Sequence, residues 1–219
     1  METKYKLVVF DLDGVLLKIK SSWEHVHDYF NIPPSLREKN LEDYITGKID
    51  YNEWIKRDVE LWTKALGRRP SIKDLEKALD NIILNTEAYN AVKELRKQDV
   101  ILGILSAGIG QAARRAKEAL ELDFYLANDI VFDKEGLLSP NQQATVPPFQ
   151  KPLILTWLAK KYNIPLTNVA YIGDSTWDIG VMRIAGCGIA YNYDDYLLIK
   201  YADKVIDNLE ELPIVLERC

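Results

Sequence analysis

The chain has 219 residues and a formal net charge of -5 at pH 7, with 47% hydrophobic and 28% charged residues. This balance is typical of a globular protein with a sizeable core and argues against disorder. Because the acidic net charge repels polyanions, we expect no nucleic acid among its partners. The length allows either one large α/β domain or a core that carries an inserted module.

The N-terminal region and the cysteines carry no targeting or metal-binding pattern. The first apolar run, residues 7–10, is too short for a signal-peptide core or a membrane span, so we expect a cytoplasmic protein with no membrane partner. Cys187 and Cys219 form no CxxC pair and have no histidine at metal-ligand spacing. We therefore expect no disulfide and no zinc site, with Cys187 as a small buried apolar side chain.

Short apolar runs predict the strands of a parallel sheet. They are residues 5–10, 100–105, 169–172 and 188–191, each bounded by Gly, Ser, Asp or Asn. Helices are predicted at residues 87–97 and 153–162, the second of which Pro152 opens at a favoured first-turn position. Because strands and helices alternate, the sequence predicts a doubly wound, Rossmann-like α/β fold.

Two segments depart from this alternation. Residues 17–84 contain no convincing strand but carry apolar residues at helical spacing, which predicts a helical cap inserted after the first strand. The core would then comprise residues 1–16 and 85–219, with the cap above the sheet edge at which α/β proteins bind ligands. In residues 126–138, Asp-Lys-Glu-Gly separates two apolar runs and predicts a β-hairpin with a glycine turn.

Acidic side chains follow two of the predicted strands. Asp11 and Asp13 come after the first strand, and period-two alternation places both carboxylates on the same side of the chain. Two nearby carboxylates repel each other, and a hard, oxygen-preferring cation such as Mg²⁺ would stabilise the pair. Asp174 and Asp178 follow a later strand whose carboxyl end shares the same sheet edge, so these acids can converge on one ion. Asp178 is a ligand, an acceptor for metal-bound water, or an acid that a helix N-terminus favours.

Ser106 and Lys151 are candidates for binding an anion. Ser106 follows the second predicted strand in Ser-Ala-Gly-Ile-Gly, where a hydroxyl and exposed backbone N–H groups precede a helix. The overlapping Gly-Ile-Gly-Gln-Ala-Ala also fits the dinucleotide pattern GxGxxA, but that pattern belongs after the first strand, which carries Asp-Leu-Asp instead. Lys151 is either a solvated lysine or the charge that offsets repulsion between a carboxylate and a phosphate.

Four motifs occur in an order that resembles the haloacid dehalogenase superfamily. They are Asp-Leu-Asp-Gly-Val, Ser106, Lys151 and Gly-Asp-Ser-Thr-Trp-Asp. The resemblance covers the whole chain and is greatest to the phosphoserine phosphatase-like branch. It implies that Asp11 attacks phosphorus to form an aspartyl-phosphate, and that Asp13 protonates the leaving oxygen and then activates water. The residues implied to hold the phosphoryl oxygens are Ser106, Ala107, Gly108 and Lys151. The groups implied to bind Mg²⁺ are the side chains of Asp11 and Asp174 and the backbone carbonyl of Asp13, with Asp178 orienting them.

The resemblance further implies an enzyme, a phosphoric monoester hydrolase. At the position of Asp13, transport ATPases of the superfamily carry Thr and dehalogenases have no acid. Cleavage of a phosphoester needs an acid that protonates the leaving alkoxide, so Asp13 indicates a phosphatase or a phosphomutase. We predict a phosphatase for a small phosphorylated metabolite, as a monomer or homodimer. A phosphomutase with the same intermediate, or a non-catalytic binding module on this scaffold, is the alternative.

The predicted cap carries the candidate specificity residues. Phosphoserine phosphatases usually have an acid shortly after the first motif to bind the substrate ammonium, whereas this chain has Lys18 and Lys20 there. These lysines put phosphoserine in doubt and would suit an acidic substrate, unless they are only a solvated surface. Trp23 and Arg57 are further candidates, although a tryptophan can equally pack the cap's own core.

Overall fold

A computed structural model describes residues 3–219 of the chain. Within these residues six strands form one parallel sheet in the order β3-β2-β1-β4-β5-β6. The strands are β1 (Leu7–Phe10), β2 (Ile101–Ile109), β3 (Phe124–Asn128), β4 (Val169–Gly173), β5 (Cys187–Tyr191) and β6 (Lys204–Ile206). The order reverses at β1, which lies between β2 and β4, and this confirms the predicted doubly wound α/β fold.

Helices cover both faces of this sheet and form the segment after β1. They are α1 (Ser22–Tyr29), α2 (Pro34–Ile45), α3 (Tyr51–Leu66), α4 (Ile72–Leu79), α5 (Thr86–Leu95), α6 (Gly110–Ala119), α7 (Lys151–Lys161), α8 (Ile179–Met182), α9 (Tyr196–Ile199) and α10 (Leu212–Arg218). Across residues 3–219, none of them has the length and apolar character needed to cross a membrane.

The side chains of β1 alternate between two apolar cores. Val8 and Phe10 pack in one core with residues of α5, α6 and α10, whereas Leu7 and Val9 pack in the other with residues of α7 and α8. All four side chains are fully buried, as a central strand of a parallel sheet requires. This double burial fixes the position of the loop that leaves the end of β1.

The segment between β1 and α5 is helical and consists of α1 to α4. Helix α3 begins after Asp50, whose side chain accepts the Glu53 N–H, and ends at Gly67 with a left-handed φ of 65°. Leu17 and Leu84 form an antiparallel bridge, so the two ends of the segment lie side by side. The division of the chain into core and cap at these residues stays a prediction.

Three elements differ from the sequence-based expectation. Strands β3 and β6 are not predicted, and β2 continues past residue 105 to Ile109. The predicted hairpin around the Asp-Lys-Glu-Gly turn is present but short, and residues 126–128, ahead of its first arm, belong to β3 instead. Gly136 in the turn has a φ of 72°, and an antiparallel bridge joins Phe132 to Leu138. Backbone hydrogen bonds flank this bridge, from the Asp133 N–H to the Leu137 carbonyl and from the Ser139 N–H to the Val131 carbonyl, both at 2.8 Å.

The cysteines also contradict the expectation, because Cys187 and Cys219 form a disulfide with Cα atoms 6.1 Å apart. Cys187 is the first residue of β5 and is fully buried, as expected. Cys219 follows α10, whose apolar residues pack on the sheet and bring the last residue back to the amino end of β5. The spacing along the sequence does not show this approach, which depends on the packing of α10.

Candidate active site

The predicted acids meet at the carboxyl edge of three neighbouring strands. Strands β2, β1 and β4 are adjacent and in register, so their carboxyl ends face the same side of the sheet. Asp11 directly follows β1, Asp174 directly follows β4, and Ser106 lies in the second half of β2. Carboxylate oxygens of Asp11, Asp174 and Asp178 lie within 4.8 Å of one another. Residues far apart in the sequence therefore share one small site.

Lys151, the first residue of α7, is the cation of this site. Its Nζ lies 3.1 Å from Asp11 Oδ2 and 2.7 Å from Asp178 Oδ1. The Tyr171 hydroxyl donates to the same Asp178 oxygen at 2.7 Å. Lys151 is 1% exposed and Asp178 is 0% exposed, so these charges interact with little screening by water. Asp178 thus holds the ammonium against Asp11, and through Ser175 it also caps the start of a helical turn.

The buried carboxylates of the site are poorly stabilised as anions. Burial raises the pKa of Asp11 to about 7, in spite of the opposing charge of Lys151. Burial also raises the pKa of Asp174 to about 9, and the charge of Asp11 adds to this shift. Burial lowers the pKa of Lys151, but Asp11 and Asp178 outweigh it and raise that pKa above its ordinary value. Because carboxylates outnumber the ammonium, the donor set fits an additional hard divalent cation.

Asp13 has one oxygen fixed and one oxygen free. Asp13 Oδ2 accepts hydrogen bonds from the backbone N–H and the hydroxyl of Ser22, both at 2.8 Å, whereas the buried Oδ1 has no hydrogen-bond partner among the described residues. Burial raises the pKa of this carboxyl group, which favours a retained proton. The next residue, Gly14, has a φ of 72°, and the Asp174 carboxylate occupies the space into which a Cβ would project.

The end of β2, after Ser106, is held by side chains from both the core and the helical segment. The Ala107 carbonyl accepts hydrogen bonds from Trp23 Nε1 at 3.0 Å, from the Tyr51 hydroxyl at 3.1 Å and from Asn128 Nδ2 at 2.8 Å. Trp23 and Tyr51 belong to α1 and α3, and Asn128 ends β3. Donors on a carbonyl oxygen polarise its peptide group, which strengthens the adjacent Gly108 N–H as a donor to an anion.

A cavity of about 490 Å³ lies over this edge of the sheet. Every predicted catalytic and phosphate-binding residue lines it, as do Lys20 and Trp23. Arg57 does not line it, because Asp43 and Glu53 each hold its guanidinium at 3.1 Å. The interpretation of Arg57 as a specificity residue therefore has no support from its position.

Four residues that hold the site are absent from the sequence-based set: Ser22, Tyr51, Asn128 and Tyr171. Tyr171 could be found, because a tyrosine inside an otherwise aliphatic strand needs a buried partner for its hydroxyl. Asn128 ends a strand that the sequence does not predict. Tyr51 begins a helix, where an aromatic residue carries no distinguishing pattern.

Comparisons with known proteins agree with this geometry. Residues 5–186 match the haloacid dehalogenase-like hydrolase family. The phosphoserine phosphatase of Methanocaldococcus jannaschii is 29% identical over 192 residues, which cover 87% of each protein. That of Saccharomyces cerevisiae is also 29% identical, over 85% of this chain and 59% of its own length. A substrate-bound phosphoserine phosphatase structure superposes with a TM-score of 0.78 at 25% identity, covering 98% of both chains.

The chain belongs to the haloacid dehalogenase-like hydrolase family. Its similarity to phosphoserine phosphatases places it in the branch of the family that the sequence resembles, so this prediction is confirmed. A structure of a phosphoserine phosphatase with a phospho-aspartyl intermediate analogue shares the fold, with a TM-score of 0.77 at 24% identity over 96% of this chain and 97% of its own. The chain spans 59% and 54% of the yeast and Archaeoglobus fulgidus relatives.

We expect Tyr51→Phe to weaken binding of inorganic phosphate about fivefold, because the Ala107 carbonyl loses one of its donors and one hydrogen bond is worth about 1 kcal/mol. Titration calorimetry measures the dissociation constant. Tyr44→Phe is the matched control, since it removes a hydroxyl from a ring that packs against Tyr51. Equal phosphate affinity in the wild type and Tyr51→Phe would contradict the role of this contact.

Proposed function

We propose that the chain hydrolyses small phosphomonoesters in a Mg²⁺-dependent reaction that passes through an aspartyl-phosphate on Asp11. The chain is a phosphoric monoester hydrolase by family and by its similarity to phosphatases. The observation that carries the proposal is the placement of Asp11, a buried carboxylate held 3.1 Å from the Lys151 ammonium in a cavity lined by potential anion donors.

Asp11 is the nucleophile in this proposal. One of its carboxylate oxygens forms a bond to phosphorus while the bond from phosphorus to the leaving oxygen breaks. Asp11 Oδ1 accepts the Leu12 N–H at 2.8 Å, and Oδ2 faces Lys151, so both oxygens are oriented before substrate binds. Asp178 acts as a positioning residue, because it holds Lys151 where the ammonium offsets repulsion between carboxylate and phosphate.

Asp13 is the general acid and base. Ser22 fixes Oδ2, which leaves Oδ1 as the oxygen that donates its proton to the leaving alkoxide. The resulting carboxylate then takes a proton from the water that attacks phosphorus and releases Asp11. The raised pKa of Asp13 supports this sequence, because the acid must still hold its proton when the substrate binds.

The phosphoryl oxygens and the cation complete the site. The hydroxyl of Ser106, the N–H groups of Ala107 and Gly108, and Lys151 are the donors proposed to hold the phosphoryl group. Asp11 and Asp174 side chains and the Asp13 backbone carbonyl would bind Mg²⁺, which neutralises negative charge on the nucleophile and the phosphoryl group when bound. The geometric cluster of Asp11, Asp174 and Asp178 supports this assignment.

We expect Asp13→Asn to lower kcat/KM about 100-fold for glycerol phosphate and much less for p-nitrophenyl phosphate, whose stable leaving group needs little protonation. Released phosphate and p-nitrophenol measure the two rates, and kcat/KM isolates the steps up to loss of the leaving group. Asp11→Asn is the control that should abolish both. Equal losses in Asp13→Asn would contradict the acid role, and an isomeric phosphate without free phosphate would favour the phosphomutase.

We expect Mg²⁺ to raise the melting temperature more at pH 8 than at pH 5. The pKa values of Asp11, about 7, and Asp174, about 9, lie above the ordinary value of 3.8. The folded protein without metal therefore binds more protons than the unfolded chain above pH 4, so its stability falls as the pH rises through this range. Mg²⁺ must displace these protons when it binds at pH 5, whereas fewer of them are bound at pH 8.

Thermal melts of the wild type with and without Mg²⁺ at the two pH values test this expectation. Asp174→Asn should lose the rise, whereas the matched control Asp195→Asn, a helix cap where Asn serves equally well, should keep it. A rise of equal size at both pH values, or one that survives in Asp174→Asn, would contradict the metal assignment.

A further inference from the structure

Unsatisfied polar atoms of the described residues concentrate around the cavity. In residues 3–219, three buried side-chain atoms lack a hydrogen-bond partner: Asp13 Oδ1, His27 Nε2 and Trp54 Nε1. All three residues line the cavity over the sheet edge. Buried polar groups are almost always paired, so unpaired ones in a cavity wall mark where a ligand supplies the partner. Asp13 faces the leaving oxygen in the proposed reaction, which leaves two donors, His27 and Trp54, without a role.

The hydrogen bonds of His27 define which of its nitrogens carries the proton. Trp62 Nε1 donates to His27 Nδ1 at 3.0 Å, and an indole nitrogen can only donate. His27 Nδ1 is therefore the acceptor, and the proton of the neutral ring sits on Nε2. A second proton on Nδ1 would set two N–H groups against each other. The ring is 2% exposed and offers a fixed N–H donor at Nε2.

A carboxylate lies beside this donor. Asp58 Oδ2 is 3.3 Å from His27 Nε2, but the two atoms are not aligned for a hydrogen bond. Asn40 Nδ2 donates to the other oxygen, Asp58 Oδ1, at 2.7 Å. Asp58 is 4% exposed and lines the same cavity. The cavity wall thus presents a donor and an acceptor next to each other.

A hydroxyl group is the ligand that satisfies this pair. Its oxygen accepts from His27 Nε2 and its proton is donated to Asp58, so one uncharged group satisfies both atoms, whereas an ammonium by itself leaves the His27 donor unpaired and a carboxylate by itself is repelled by Asp58. We propose that the cavity selects phosphomonoesters whose leaving group is a neutral polyol or sugar, with His27, Asp58 and Trp54 as the residues that recognise its hydroxyls. This inference rests on the proposed phosphatase function.

The cations of the cavity wall give no support to an anionic leaving group. Lys20 pairs with Asp194 at 2.8 Å, and Arg37 pairs with Asp28 at 2.7 Å. Lys151 pairs with Asp11 at the position proposed for the reacting phosphate, so it does not contact the leaving group. Lys18 is exposed and does not line the cavity. The expectation that the lysines after the first motif favour an acidic substrate therefore has no support from the position of Lys18, and for Lys20, which lines the cavity, it stays an alternative that the comparison of substrates below tests.

The test compares kcat/KM for p-nitrophenyl phosphate, glycerol phosphate, a hexose phosphate, O-phosphoserine and phosphoglycerate. We expect kcat/KM for the glycerol or hexose ester to exceed that for both phosphoserine and phosphoglycerate by about tenfold or more, the value of one hydrogen bond to a charged group such as Asp58. A preference for phosphoserine or phosphoglycerate would overturn the inference and leave the phosphatase function standing. Loss of all hydrolysis, including that of p-nitrophenyl phosphate, would overturn the proposed function and this inference with it.

The variant Asp58→Asn tests the residue assignment. The quantity measured is a ratio: kcat/KM for the preferred polyol or sugar ester divided by kcat/KM for p-nitrophenyl phosphate. We expect this ratio to fall about tenfold, because an aryl leaving group has no hydroxyl to lose. The ratio does not depend on the fraction of enzyme that is folded. Asp50→Asn, at the start of the same helix, is the matched control and should keep the ratio. A parallel fall for both substrates in Asp58→Asn would overturn the assignment.

Discussion

The buried ammonium of Lys151 is the interaction on which the site depends. It lies between Asp11 and Asp178, at 3.1 and 2.7 Å, with almost no exposure to water. Removal of one partner from a buried ion pair typically costs about 3–5 kcal/mol, because an uncompensated charge stays behind. The first turn of α7, the loop after β1 and the turn after β4 are therefore held together by charge as well as by packing.

That same arrangement leaves the site with an excess of negative charge. Burial raises the pKa of Asp174 to about 9 and that of Asp11 to about 7, both well above the ordinary value of 3.8. A protein that needed only stability would replace such groups with apolar residues. Their position at the edge where α/β sheets bind ligands is typical of a functional site, and the proposed Mg²⁺ would supply the missing positive charge.

The fold and the acids were predictable because they depend on local patterns. Apolar runs ending in Asp11 and Asp174 indicate strands, and parallel strands place their carboxyl ends together, so the convergence follows from topology. The contacts of Tyr51, Asn128 and Trp23 at the Ala107 carbonyl could not be predicted, because they need the relative placement of α1, α3 and β3. The Cys187–Cys219 disulfide and the turn of Arg57 toward Asp43 depend in the same way on helix packing that leaves no periodic pattern.

The central claim is that Asp11 carries the phosphoryl group during turnover. Acid quenching of Asp13→Asn during reaction with p-nitrophenyl phosphate, followed by mass spectrometry of its peptides, tests it most directly, because loss of the base slows hydrolysis of the intermediate. We predict the added mass of one phosphoryl group on the peptide that contains Asp11, and no such addition when Asp11 is also replaced by Asn. A phosphoryl group on another side chain, or p-nitrophenol released with no phosphorylated peptide, would contradict the account.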